Sequence, residues 1–193
     1  MPLTDEAMLR VAGVTGGRAG AWHLELGRVL AGAVLVDLAR GGRIAVHAGR
    51  VSVLAPAPGA GPVGDAVQGE ALDRLARGRR PLTVAACVER LAPSTFPAVE
   101  RSLVDRGELV WLRGPLGGRG RLLPRDGHRG DPALRPALRE LLRAARPAWE
   151  PAPDGPGGAD PAGAWPAADP VAVVSRAVAS CVAVLHSRVM CGF

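Results

Sequence analysis

The most constraining feature of this sequence is the stretch 26–40, LGRVLAGAVLVDLAR, which is apolar almost all the way round a helix. Its charged interruptions are Arg28, Asp37 and Arg40. A helix that is apolar on every face has no side suited to solvent, so it belongs in the centre of a domain. We therefore expect the rest of the chain to pack around this segment.

The sequence pattern changes directly after the central helix. Gly41 and Gly42 are suited to end it, because glycine readily adopts the left-handed backbone of a helix C-cap. Between residues 43 and 54, apolar and polar side chains then alternate on both sides of the segment 47–50. Alternation with period two around a short turn predicts a β-hairpin.

Composition favours one mainly aliphatic core and a basic surface. Of the 193 residues, 48% are hydrophobic and 3% are aromatic, so we expect a core of Val, Leu and Ala. All 24 basic residues are arginines and the net charge is +6, which attracts phospholipid headgroups, nucleic acid or acidic protein. Cys87, Cys181 and Cys191 form no Cys-x-x-Cys pair, so we predict no disulfide framework, no zinc site and a reducing compartment.

The predicted fold class is mainly α: a helical bundle around the central apolar helix, with two small β-hairpins. Thr4 is placed to cap the first helix. The second hairpin is expected around the glycine-rich turn 114–118, and residues 92–95 are expected to break one helix from the next. Helical spacing predicts further helices over residues 65–77, 82–91, 96–106, 132–146 and 171–189.

Three regions make up the predicted domain organisation. Residues 1–146 form a helical domain. Residues 147–170 are rich in Pro, Gly and Ala and are expected to be a linker or loop, because such a composition makes no core. Residues 171–193 are expected to form a C-terminal helix that packs on the domain.

No residue pattern indicates catalysis. The four histidines are scattered, and none belongs to a His-Glu-x-x-His motif or lies beside a cysteine at ligand spacing. The chain also has no Gly-x-Ser-x-Gly motif and no paired carboxylates in an apolar setting. We therefore expect a protein that is not an enzyme and that uses no metal or cofactor.

Residues 82–124 fit the layout of a winged helix, which makes nucleic-acid binding an alternative. Two short helices separated by a turn would precede a strand–turn–strand wing. Ser94 would cap the recognition helix, and Arg113, Arg119 and Arg121 would lie in the wing. That recognition helix would have no Asn, Gln or Lys to read bases, which disfavours this alternative.

An anionic membrane surface is a further candidate partner. Trp22 stands in a glycine-rich loop, with Arg18 nearby and Arg28 about two turns further on. Trp favours the membrane interface and Arg holds phosphate bidentately, although Trp22 packing on the core as a lid is the competing interpretation. With no signal-peptide pattern and no apolar stretch long enough to span a bilayer, we expect a cytoplasmic, peripherally associated protein.

Several motifs, taken in order, resemble the Golgi phosphoprotein 3 family. They are LTDEAMLR, the Trp-bearing loop, LAGAVLVDLARGGRI, GPVGDAVQGEALDRLARGRRPLTVAACVERL, and ERSLVDRGELVW with RLLP behind it. The resemblance runs from about residue 3 to residue 146. It implies a mostly helical fold with a projecting hairpin, and a non-enzymatic peripheral membrane protein that binds phosphatidylinositol 4-phosphate and, in eukaryotes, retains Golgi glycosyltransferases. The composition indicates a bacterial member with a divergent C-terminal part.

The resemblance also implies a lipid-headgroup site, which this chain matches in part. The family's headgroup Trp falls on Trp22, whereas the family's phosphate-binding arginines fall on Ala31, Pro93 and Phe96. Basic residues elsewhere on the same helices would restore the missing charge. The predicted headgroup residues are Trp22, Arg18, Arg28 and Arg101.

The predicted hairpin at residues 110–124 corresponds to the family's projecting hairpin, which helps self-association and membrane contact. A homo-oligomer through this hairpin is therefore expected. A protein-interaction scaffold without lipid binding is the third alternative. The hairpin residues predicted to contact the membrane or a second copy are Trp111, Leu112, Arg113, Arg119 and Arg121.

Overall fold

The computed structural model describes residues 1–14, 23–55, 65–78, 81–112, 121–125, 135–144 and 169–190, and it confirms a mainly α fold with small antiparallel strand pairs. The described helices are α1 (Leu3–Val14), α2 (His23–Arg40), α3 (Ala66–Ala76), α4 (Val84–Asp105), α5 (Arg135–Ala144) and α6 (Pro170–Met190). The described strands are β1 (Ile44–His47), β2 (Arg50–Val53), β3 (Leu82–Thr83), β4 (Leu109–Leu112) and β5 (Arg121–Pro124).

Helix α2 is the centre of the core, as its all-round apolar sequence predicts. Its residues from 26 to 38 are buried apart from Arg28 and Asp37, and it packs against α1, α4 and α6. Two glycines allow α2 to approach α4 and α6 closely. A Cβ at Gly27 would lie 2.8 Å from the carbonyl oxygen of Ala92, and one at Gly32 would lie 2.7 Å from Cγ2 of Val178.

The predicted stop at the double glycine is confirmed. Gly42 has a φ of +64°, and the amide of Arg43 donates to the carbonyl of Leu38 at 2.9 Å. This is a Schellman-type C-cap, in which a left-handed residue turns the chain and satisfies a late helical carbonyl. The geometry directs the chain from α2 into β1.

The first hairpin is confirmed, and it gains a strand that the sequence did not predict. Ala48 and Gly49 form its two-residue turn with φ of 48° and 70°, and β1 and β2 pair in antiparallel fashion. Strand β3 pairs with the other edge of β2 and aligns Leu82 with Val51. The predicted helix over 82–91 is therefore wrong at its start: Thr83 accepts from the amide of Ala86 and caps α4 instead.

The predicted helix break at residues 92–95 is wrong, because α4 continues through it. Pro93 and Pro97 lie inside the helix. The buried side chains of Leu91, Thr95 and Val99 continue the apolar face across the prolines, and this packing outweighs the backbone hydrogen bonds that proline removes. Since the two short helices of a winged helix are one helix here, and Ser94 caps nothing, the nucleic-acid alternative loses its structural basis.

The second hairpin follows α4 as predicted. Gly107, with a φ of 70°, turns the chain out of α4, and β4 pairs with β5 so that Trp111 faces Leu122 and Leu112 faces Arg121. Residues 113–120, with the predicted Arg113 and Arg119, lie outside the described part of the chain.

Helix α6 completes the core by packing against α2, α4 and α5. Its buried residues include Val171, Val174, Val178 and Val182. Residues 147–168 of the predicted linker are outside the described ranges. Among the helices that are described, none is long and apolar enough to cross a membrane.

Candidate functional site

Strand β4 exposes three consecutive large apolar side chains. Val110, Trp111 and Leu112 have 43%, 49% and 50% of their surface exposed, whereas Leu109 before them is buried. A half-buried strand normally alternates apolar and polar residues, so an uninterrupted exposed apolar run marks an interaction surface. We call these three residues, together with exposed Arg121 across the ladder from Leu112, the hairpin surface.

The indole of Trp111 is held against α4. Its Nε1 donates to the carboxylate of Glu100 at 3.1 Å. Partial burial raises the pKa of Glu100, while the hydrogen bond from Trp111 opposes the rise. Trp111 therefore has a satisfied polar end and an exposed apolar ring, the amphipathic character of Trp at membrane interfaces.

Basic residues lie at the same end of α4 as the hairpin surface. Arg101 is exposed and follows Glu100, the partner of Trp111. Arg125 is exposed directly after β5, and its amide donates to the carbonyl of Glu108 at 2.9 Å. Arg101, Arg121 and Arg125 are thus exposed cations on the segments next to the hairpin surface, where Glu100 and Glu108 also lie.

An ionic cluster around the buried carboxylate of Asp5 lies at the base of the hairpin, and its residues were not predicted as a group from the sequence. Arg106, at the C-terminus of α4, forms an ion pair with Asp5 of α1 at 2.6 Å and another with Glu108 at 2.8 Å. The guanidinium of Arg106 also donates a hydrogen bond of 2.9 Å to the hydroxyl oxygen of Ser102. Burial raises the pKa of Asp5 to about 6; nearby Asp65 and Glu108 add to the rise, and Arg106 opposes it. Arg106 thereby ties α1 to the root of β4.

The predicted headgroup residue Arg28 is engaged within the protein. Its guanidinium donates bidentately to Glu89 at 2.7 and 2.8 Å and to the carbonyl of Leu24 at 3.0 Å. The side chain of Arg28 is 14% exposed and that of Glu89 is 46% exposed. The pair lines a cleft of about 430 Å³ whose other walls include Ala85 and Val184. An anion that binds Arg28 must therefore compete with Glu89.

The structure does not bring Arg28 and Arg101 together. Arg28 contacts α4 at Glu89, and Arg101 lies twelve positions further along the same helix, a separation of about 18 Å at 1.5 Å per residue. Trp22 and Arg18 lie outside the described residues. Of the four predicted headgroup residues, Arg101 is thus at the hairpin end of α4 and Arg28 is at the other.

The three positions that replace the family's arginines differ in their surroundings. Ala31 is completely buried in the core of α2, Pro93 is exposed on α4, and Phe96 is half-buried. Ala31 suits its apolar position, because an unpaired guanidinium there would be strongly destabilising.

In the described ranges, no group of three or more His, Cys, Asp or Glu side chains is arranged to hold a metal ion.

These observations define a mainly helical protein whose described part holds a buried central helix and a hairpin with an exposed apolar and basic surface. The chain belongs to the Golgi phosphoprotein 3 (GPP34) family, whose model matches residues 3–187. The match continues beyond residue 146 and covers most of α6, so the C-terminal helix is part of the family architecture. No curated protein matches the chain. The family is not a known enzyme family.

Proposed function

We propose that this protein is a non-enzymatic peripheral membrane adaptor that contacts anionic phospholipid through the hairpin surface. The observation that carries the proposal is the exposed run Val110, Trp111 and Leu112 beside Arg121. Family membership supports the same function, and phosphatidylinositol 4-phosphate is the lipid that the resemblance implies. We further propose that the protein acts at the cytoplasmic face of a bacterial membrane.

The physical basis is insertion of apolar side chains combined with charge attraction. Moving a half-exposed Val, Trp or Leu out of water contributes roughly 1 kcal/mol each, about half the value for a fully exposed side chain. A basic residue near an anionic surface contributes about 1 kcal/mol. Three apolar and several basic side chains are enough for reversible membrane binding, which is the regime expected of an adaptor.

We assign headgroup recognition to Arg101 and Arg121, because Arg101 is in the last turns of α4 and Arg121 begins β5 of the hairpin that follows. Arg28 can contribute when an anionic headgroup displaces Glu89. Trp22 keeps the headgroup contact that the resemblance implies, and Arg18 keeps the headgroup contact predicted from its position near Trp22.

Self-association through the same hairpin is the second candidate function. The sheet β4–β5 has two strands, and Val110 and Trp111 expose apolar surface that a second copy would bury. A homo-oligomer would present several hairpin surfaces to one membrane and increase its avidity.

Vesicle flotation tests the proposal. We expect the wild type to float with vesicles that contain phosphatidylglycerol or phosphatidylinositol 4-phosphate, and to remain at the bottom with neutral vesicles. Trp111→Ala combined with Leu112→Ser should lower the bound fraction at least tenfold, since about 2 kcal/mol of insertion is lost. Leu54→Ser is the control, because Leu54 is an apolar residue that is 41% exposed and directly follows β2 of the first sheet.

Each remaining outcome contradicts a part of the proposal. Equal flotation of the wild type and the hairpin variant would remove the hairpin surface from the membrane contact. No flotation with any anionic vesicle, together with a dimer in sedimentation that the hairpin variant abolishes, would favour a protein-interaction scaffold.

A further inference from the structure

We infer that a cleft between the start of α1, the start of α3 and the end of α4 binds a small organic dication of the aliphatic diamine class. The cleft measures about 480 Å³ and is open to solvent, which suits a charged ligand that stays partly hydrated. Its charged lining side chains are Asp5, Asp65, Arg106 and Glu108. Lipid binding requires none of these side chains, so the inference is independent of the proposed function.

Negative charge is in excess in this cleft. Among the described lining residues, the carboxylates of Asp5, Asp65 and Glu108 stand against the guanidinium of Arg106. The chain as a whole carries a net charge of +6, so an anionic cleft is exceptional on it. An aliphatic diamine carries two ammonium groups at neutral pH, because its amines resemble that of lysine. Its charge balances the excess of three carboxylates over one guanidinium.

A buried carboxylate oxygen of the cleft lacks a hydrogen-bond donor. Asp5 is 2% exposed, and its Oδ2 accepts from Arg106 at 2.6 Å. Its Oδ1 is buried as well, but it has no hydrogen-bond partner among the described residues. A buried acceptor without a donor is costly, since it has lost water and gained nothing in exchange. An ammonium group brings three N–H donors and supplies the missing one.

The carboxylates of the cleft also repel one another. The pKa of Asp5 is raised to about 6, chiefly by burial and further by the charges of Asp65 and Glu108, while Arg106 lowers it. A dication in the cleft would offset that repulsion and favour the ionised form of Asp5. Binding of the dication should therefore release protons near pH 6.

The arrangement fits a diamine better than a metal ion. Within the described ranges, no three acidic, His or Cys side chains form a group that could hold a metal ion. The carboxylate of Asp65 is also committed to α3, where it accepts from the amide of Val67 at 2.9 Å. Two ammonium groups on an alkyl spacer can reach carboxylates that are too far apart to share one ion. Pro2 and Ala66 add apolar lining for the spacer.

Isothermal titration of the full chain with 1,4-diaminobutane, at low salt and without vesicles, tests the inference. We expect saturable binding to the wild type and roughly fivefold weaker binding to Asp65→Asn, because one charge is lost. Asparagine caps a helix as well as aspartate does, so α3 should keep its start. Asp73→Asn, the same change at an exposed position of α3 outside the cleft, should bind like the wild type. No saturable binding to the wild type, or equal binding to all three proteins, would overturn the inference.

Two further titrations test the class of the ligand. Butylamine has the same alkyl chain and one ammonium group, so it should bind several-fold more weakly than 1,4-diaminobutane. Equal binding of the two amines would refute a site for two charges. Magnesium chloride at matched ionic strength should leave diamine binding largely intact. Complete displacement by magnesium would show that the cleft attracts any dication without recognising a diamine, and would also refute the inference.

The pH dependence of binding tests the part played by Asp5. Diamine affinity should rise between pH 5 and pH 7, since the dication favours the ionised carboxylate. Asp5→Asn should bind more weakly and lose this dependence, with circular dichroism verifying that the variant is folded. A wild-type affinity that does not change with pH would contradict the inference. Vesicle flotation plays no part in these titrations, so this inference and the proposed function can fail separately.

Discussion

The carboxylate of Asp37, within the apolar helix α2, accepts a hydrogen bond of 2.9 Å from the hydroxyl of Thr4 at the start of α1. The same carboxylate accepts from the backbone amides of Leu3 at 3.0 Å and Thr4 at 3.1 Å. The prediction that Thr4 caps α1 is therefore wrong. Thr4 lies inside α1, and the cap is the carboxylate of Asp37 from α2. The partly buried carboxylate of Asp37 thus satisfies the first amides of α1 and favours its N-terminal dipole.

Removing this cap should destabilise the fold. We expect Asp37→Ala to lower the free energy of unfolding by about 2–4 kcal/mol, because buried amides lose a charged acceptor. Asp37→Asn should cost less, since its amide oxygen still accepts. Urea denaturation followed by circular dichroism measures both, with Asp73→Ala on an exposed position of α3 as control. A loss below about 0.5 kcal/mol for Asp37→Ala would show that the cap contributes little.

Burial of the Asp5 carboxylate predicts a specific pH dependence of stability. The pKa of Asp5 rises from 3.8 to about 6, chiefly through burial. The folded state therefore holds the proton of Asp5 more tightly than the unfolded state does. The stability from this proton is fully present below about pH 4 and is lost as the pH rises through 6, a change of up to about 3 kcal/mol.

The variant Asp5→Asn isolates this effect, because its side chain does not ionise. Its stability relative to the wild type should increase by up to about 3 kcal/mol between pH 4 and pH 7. Denaturation curves at each pH provide the difference, and Asp73→Asn reports the effect of removing a carboxylate at an exposed position. A stability difference between Asp5→Asn and the wild type that stays constant with pH would contradict a raised pKa of Asp5.

Close packing between α2 and α6 makes Gly32 sensitive to added volume. Gly32→Ala should destabilise the protein by about 1–3 kcal/mol, since its Cβ would lie 2.7 Å from Cγ2 of Val178. In the double variant with Val178→Ala, part of this loss should be recovered. Gly69→Ala is the control: a Cβ there meets nothing within 4 Å, and the change should stabilise α3 by about 0.4–1 kcal/mol. Strictly additive effects at 32 and 178 would argue against the contact.

The bidentate pair of Arg28 and Glu89 tests whether Arg28 takes part in lipid binding. If it does, Glu89→Gln should raise partitioning onto anionic vesicles by up to about fivefold, because the arginine no longer has a competing carboxylate and one negative charge is gone. Glu70→Gln is the matched control, since Glu70 pairs with Arg74 on α3. An equal rise in both variants, or one that persists with Arg28→Ala, would assign Arg28 a purely structural role.

Much of the architecture was predictable because it depends on local pattern. The all-round apolar sequence of α2, the double glycine behind it and the short turn at Ala48 and Gly49 each specify local geometry without help from distant residues. The hairpin residues Trp111 and Leu112 were predicted as a candidate surface, and they are half exposed. The exposure of Val110 was not predicted, because an apolar run of that length equally fits a buried strand.

Local pattern failed where a long-range contact outweighed it. Pro93 predicted a helix end, yet burial of Leu91 and Thr95 against the core keeps α4 continuous. Strand β3 is two residues long, and it exists because β2 offers an edge for pairing. The role of Arg28 was likewise hidden, because Glu89 is distant in sequence and only the packing of α2 on α4 brings it near.

By itself the sequence determined the central helix, its termination, both hairpins, the helical class and the family. Those features follow from hydrophobic periodicity and from the backbone freedom of glycine, which act over a few residues. Tertiary structure alone decided which charges meet: Asp37 with the start of α1, Asp5 with Arg106, and Arg28 with Glu89. The physical reason is that a charge in a partly buried position is stable only when an opposite charge or hydrogen-bonding group is within reach, and the folded arrangement of the helices decides which group that is.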